Sequence, residues 1–145
     1  MTEAELNALK KSILSWAKPR PDISGILLVG SCARGDFRPD SDVDLVILSE
    51  NPGRLLDDRS WTGNFGKIQS QGRENWGAVA SLRTKYEDGL EFEFGITGLQ
   101  WAGLDPIDKG TLQVVRNGAR IIWDPGGILD TFLTGCSNAI RKDPN

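Results

Sequence analysis

The chain contains no histidine. Ser-His-Asp catalysis, HExxH zinc sites and imidazole general bases are therefore excluded. Cysteine is scarce: Cys32 and Cys136 lie far apart, without metal-ligand spacing. No apolar run of membrane length and no signal-peptide pattern occurs. No membrane partner is expected, and a reducing cytoplasm is the simplest location. Positive charge is not in excess, with 17 Lys and Arg against 20 Asp and Glu, a net −3. A sequence-independent face for duplex DNA needs a basic excess, so none is expected. No Gly-Lys-Ser/Thr triplet closes a Walker A loop. There is no repeat, no low-complexity segment and no internal linker. The 145 residues, 39% hydrophobic and 26% charged, fit one soluble domain over 1–145 with a real core.

The remaining signal concentrates in residues 28–48, LVGSCARGDFRPDSDVDLVIL. An apolar run ends at Val29 and breaks at Gly30-Ser31. A polar segment follows, and a second apolar run opens with Asp42 and Asp44. Residues at i and i+2 of a strand share a face, about 6–7 Å apart. Two carboxylates so placed suit a hard cation such as Mg²⁺. Gly30-Ser31, between a strand end and a helical turn, suits phosphate. Glycine lets backbone approach an anion, and helix-start N–H groups point at it. Read as an EF-hand beginning at Asp40, the segment fails, because its sixth position is Leu45 and its twelfth Asn51. Arg34 can reach a phosphate or pair with a nearby acid.

Around this stretch the pattern alternates between helices and strands. Thr2 with Glu5 forms a capping box, and Leu6, Leu9, Ile13 and Trp16 follow at helical spacing, predicting a helix over 3–17. Strands are expected at 23–29 and 42–48, a short helix at 54–61 and a brief strand at 67–71. Residues 78–86 and 90–96 read as a hairpin about Asp88-Gly89. A two-residue turn there sets Thr84 opposite Glu93 and Tyr86 opposite Glu91, with Arg83 and Lys85 on the face of Phe92 and Phe94. Asp108 caps a helix over 109–116, a strand follows at 121–123, and Leu129, Phe132, Leu133, Cys136 and Ile140 make a helical stripe. Trp61, Trp76 and Trp101 either pack the core or stack a base.

Gly30-Ser31, Ala33-Arg34-Gly35 and Ser41-Asp42-Val43-Asp44-Leu45 resemble the signature of the polymerase-beta-like nucleotidyltransferases, and most of all the single-domain minimal nucleotidyltransferase branch. Weaker similarity runs on through the Trp-Gly and Glu-Phe-Gly stretches. The resemblance implies an α+β palm-like fold, a mixed β-sheet with helices packed on it. It implies Mg²⁺ and a nucleoside triphosphate donor, with ATP the first expectation. It also implies a third carboxylate on a later strand. Glu91 and Glu93 are both available. Glu93 is preferred, because it stands mid-strand between Phe92 and Phe94, where a charge needs a reason to be.

The expected reaction is transfer of an NMP from the NTP to a hydroxyl, with release of pyrophosphate. Gly30, Ser31 and Arg34 are the candidate nucleotide-binding residues. Asp42, Asp44 and Glu93 are the candidate metal ligands and catalytic acids in a two-metal arrangement. The acceptor is open between a partner protein, as in the antitoxin that modifies a HEPN-type toxin, a small molecule, and an RNA end. A partner chain or a homodimer would complete the acceptor pocket. The rival is a non-catalytic interaction protein, an antitoxin or regulatory subunit that binds nucleotide and transfers nothing.

Overall fold

The structure, a computed structural model, describes residues 1–142. The Thr2 side chain accepts from the Glu5 N–H and caps helix α1 (Glu3–Ala17), where the T-x-x-E spacing places it. Strand β1 (Ile23–Val29) follows, then the single turn α2 (Ser31–Arg34) and strand β2 (Val43–Ser49). Helix α3 (Pro52–Asp57) and a 3₁₀ turn (Ser60–Phe65) lead into strands β3 (Ile68–Trp76), β4 (Val79–Tyr86) and β5 (Glu91–Thr97). A second 3₁₀ turn (Leu99–Ala102), helix α4 (Lys109–Arg116), strand β6 (Ala119–Trp123) and helix α5 (Ile128–Lys142) complete the described residues.

Among these residues six strands form one sheet in the order β3-β4-β5-β2-β1-β6. Only the central β2/β5 pair is parallel; the other neighbours are antiparallel. One face carries Ile26, Leu28, Val43, Leu45, Ile47, Phe92 and Phe94 against Leu6 and Ile13 of α1, Leu55 of α3, and Trp61 and Phe65. Full burial of each Phe contributes about 1.5–3 kcal/mol relative to exposure. The opposite face carries Leu27, Val46 and Leu48 against Trp101, Leu129, Phe132 and Cys136. Cys136 is thus a core residue of α5.

Three sequence expectations are corrected. The strand expected over 67–71 runs from Ile68 to Trp76, and the helix expected over 54–61 divides into α3 and a 3₁₀ turn. β3 is an edge strand with mostly exposed side chains, so it carries no apolar alternation to read.

The third correction is the hairpin register. Tyr86 N–H donates to the Leu90 carbonyl at 2.8 Å, and Gly89 N–H donates to the Tyr86 carbonyl at 3.0 Å. The loop therefore holds Glu87, Asp88 and Gly89, with Gly89 at φ +92°, the three-residue form that needs a left-handed residue at its end. Arg83 pairs with Glu93, Thr84 with Phe92 and Lys85 with Glu91. A shift of one residue moves a strand's side chains to the opposite face. Arg83 and Lys85 thereby leave the Phe face and join the acids, while Thr84 and Tyr86 enter the core.

Candidate active site

The parallel register sets Asp44 directly beside Glu93. Asp42, just before β2, lies beside Glu91, whose carboxylate helps burial to raise its pKa. With the corrected hairpin, two rows cross three strands on one face. The inner row is Arg83 on β4, Glu93 on β5 and Asp44 on β2. The outer row is Lys85, Glu91 and Asp42. The odd positions of β2, Val43, Leu45 and Ile47, point into the opposite core, which fixes where the acids face.

The inner row opens on a cleft of about 710 Å³, lined by Gly30, Arg34, Asp44 and Glu93 together with Val79, Ser81, Trp76, Gln100, Asp108 and Asn117. That volume falls in the range of small-molecule sites. Asp42 and Glu91 of the outer row line a neighbouring groove of about 460 Å³ beside the start of α1, while the Asp42 charge still acts on Asp44. Ser31 opens α2 next to Gly30. Ser81 donates to Glu93 Oε1 at 2.9 Å, and Arg83 Nη2 lies 3.5 Å from Glu93 Oε2.

Gly30 has a specific steric role. It turns the chain out of β1 at φ +74°, and a Cβ there would stand 2.7 Å from Asp44 Oδ2. The Asp44 carboxylate therefore stands in the space that a side chain at this position would take. The Ala33 and Arg34 N–H groups donate to the Gly30 carbonyl at 3.0 and 3.1 Å, so the N–H groups at the open end of this turn are those of Ser31 and Cys32. Cys32 Sγ donates to the Asp42 carbonyl at 3.4 Å, tying this turn to the acid-bearing strand. Arg34 is occupied on both sides. Its Nε bonds Asp36 at 3.1 Å and its Nη1 donates to the Asn117 carbonyl at 2.7 Å. It lines the cleft while clasping α2 to the end of α4.

Burial pushes the Asp44 carboxyl up to about 7, with the negative charges of Glu93 and Asp42 adding to it and Arg83 opposing. Burial, then the adjacent Glu91, also raises Asp42. Such a cluster is held against its own repulsion, a situation that a cation relieves. Among the described residues no three acid or cysteine side chains converge enough to hold a metal ion by themselves. Mg²⁺ does not require this, because it keeps waters and binds through one or two carboxylates plus substrate phosphates. The hard oxygens of the adjacent Asp44 and Glu93, with Asp42 two residues back along the chain, suit a Mg²⁺ that arrives with a triphosphate.

The tryptophans divide. Trp61 and Trp101 are 5% and 9% exposed and pack the two cores, whereas Trp76 is 61% exposed and stands in the cleft wall. Sequence reasoning missed Ser81 and misplaced Arg83. The signal was present: two cations on a Phe-lined face are an implausible pairing that a one-residue shift removes.

The family model described as nucleotidyltransferase domain matches residues 9–99. Among solved structures, an aminoglycoside 6-adenyltransferase from Bacillus subtilis is similar, with TM-score 0.53 and 15% identity over 70% of this chain and 37% of that one. A toxin–antitoxin structure with AMP-PNP gives TM-score 0.48 and 13% identity, covering 92% of this chain and 87% of that one. The chain thus spans just over a third of the adenyltransferase. Comparison with curated proteins finds no match.

Proposed function

We propose, from the premise that the chain belongs to the nucleotidyltransferase domain family, that it moves an NMP from a Mg²⁺-bound NTP, with ATP the first candidate, to a hydroxyl acceptor. The observation that carries this reading is the close approach of the Asp44 carboxylate to Gly30, where a Cβ would stand 2.7 Å from Oδ2, with Asp44 itself beside Glu93. It sets a phosphate-accepting turn against a pair of carboxylates.

In this reading Gly30 and Ser31 receive the β- and γ-phosphates, and Arg34 borders them. Asp42, Asp44 and Glu93 hold Mg²⁺, which when bound supplies charge neutralisation at the phosphates and lowers the pKa of a bound hydroxyl. The acceptor oxygen forms a bond to the α-phosphorus, the α–β bridging bond breaks, and pyrophosphate leaves. The acceptor's proton passes to the Glu93 carboxylate or to solvent. Attack and departure are in line, so a pyrophosphate leaving at the Gly30 end places the acceptor on the β4/β3 side. There the exposed face of Trp76 offers a platform for a flat or apolar part of the acceptor. Catalysis is mainly positioning and charge neutralisation.

The acceptor belongs to a partner protein of HEPN type, a small molecule or an RNA end. Pyrophosphate release from ATP, CTP, GTP and UTP with Mg²⁺, with and without each acceptor class, tests the transfer. Release is expected only with Mg²⁺ and to rise steeply with the true acceptor. Tight NTP binding without release, whatever acceptor is supplied, would instead establish the non-catalytic rival.

A further inference from the structure

We propose that Arg83 and Ser81 clamp Glu93, with Arg83 supplying to the inner carboxylate row, before metal arrives, the positive charge that the metal later supplies. The inference rests on the metal-dependent transfer proposed above and assigns it two positioning residues.

Both oxygens of Glu93 are engaged from β4. Ser81 Oγ donates to Oε1 at 2.9 Å and Arg83 Nη2 stands 3.5 Å from Oε2. Arg83 is directly opposite Glu93 across the strand pair, and Glu93 is directly beside Asp44. The order across the sheet is therefore cation, carboxylate, carboxylate. A long side chain such as Glu needs its rotamer fixed before it can serve in a defined geometry. With side chains 46% and 29% exposed, the Arg83–Glu93 pair contributes little to stability. Its position, not its strength, makes it useful: it is anchored on the strand that Glu93 already pairs with. Lys85 stands opposite Glu91, in the outer row.

A fixed cation beside a metal site has opposing effects. It repels the incoming dication and so weakens metal binding, while keeping Glu93 aimed. Removing it should therefore split two quantities that a merely structural residue would move together. In Arg83→Ala, Mg²⁺ titrated in the presence of a non-hydrolysable ATP analogue should bind about 3–30-fold more tightly, as expected for one unit charge removed at a few ångströms in a wet site. Turnover should fall about 10–100-fold, the cost of a misplaced catalytic group. Arg83→Lys should keep wild-type Mg²⁺ affinity and recover part of the turnover, because it keeps the charge and loses the planar fork. Ser81→Ala should lower turnover without changing Mg²⁺ affinity.

Melting gives a second readout. Arg83→Ala should melt slightly below wild type in chelator, and millimolar Mg²⁺ together with the ATP analogue should narrow that gap. If Arg83→Ala weakens Mg²⁺ binding and turnover together, or if Mg²⁺ with the analogue leaves the melting gap unchanged, the clamp is overturned. If wild type itself binds no Mg²⁺ with the analogue, the site reading fails and the clamp with it. Wild-type binding with no split in Arg83→Ala overturns the clamp alone.

Discussion

Asp44→Asn is expected to stop transfer and leave the metal-free chain folded and no less stable than wild type. Asp44 stands at the β2 end of the inner row, between the Gly30 turn and Glu93. Its loss removes a ligand charge at the place where phosphate and metal meet. Several kcal/mol of transition-state charge stabilisation are at stake there, about 10²–10⁴-fold in rate. Stability moves the other way. An unfolded Asp loses its proton near 3.8, whereas burial and the neighbouring acids hold folded Asp44 to about 7. Between those values the folded chain retains a proton that the unfolded chain releases, so the metal-free protein loses stability as pH rises through that window. Asn has no proton to lose, so the variant should show a shallower fall in melting temperature between pH 4 and 8, measured in chelator. Asp42, raised in the same direction, leaves a residual slope. A variant that unfolds at all pH values would mean that Asp44 is there for the fold.

The second large effect separates two neighbouring acids. Glu93→Gln should lose about 10²–10⁴-fold in turnover, the range for removing a general base or a metal-aligned carboxylate, while keeping most NTP affinity. Glu91→Gln should be nearly silent. Glu93 lines the main cleft beside Asp44 and is held by Ser81 and Arg83. Glu91 lies in the adjoining groove against Asp42, with Lys85 opposite. Steady-state rates with calorimetric NTP affinities for both variants decide the matter. If Glu91→Gln carries the loss and Glu93→Gln does not, the third carboxylate is Glu91, and the outer row is the reactive one.

What was legible in the chain follows from how local each signal is. The Thr2 cap, the Asp108 cap and the Gly30 break are set within a few residues, and all three stand where the sequence puts them. The alternation of Asp42 and Asp44 with Val43 and Leu45 survives because one face is a buried core, which pins the register. The hairpin is different. Asp88-Gly89 reads equally as a two-residue turn and as the end of a three-residue one. The choice is made by tertiary packing of Thr84 and Tyr86 into the core, where Tyr86 Oη donates to the Thr62 carbonyl at 2.7 Å. That long-range contact is invisible locally, and it decides whether Arg83 sits among the acids. The full length of β3 escaped for a related reason. As an exposed edge it is specified by pairing with β4 rather than by its own pattern. Arg34 was open between two readings, and the structure gives it Asp36 and the Asn117 carbonyl as partners, while it still borders the cleft.

The central claim is that the Gly30 turn and the acid rows make a single Mg²⁺-dependent nucleotide site. Isothermal calorimetry of the wild-type chain with each NTP, in Mg²⁺ and again in chelator, tests it most directly. Triphosphate and clustered carboxylates repel one another without a cation, so at least one NTP should bind in Mg²⁺ and lose most of that affinity in chelator. No binding of any NTP at millimolar concentration with Mg²⁺ present, or binding indifferent to the metal, would contradict the account.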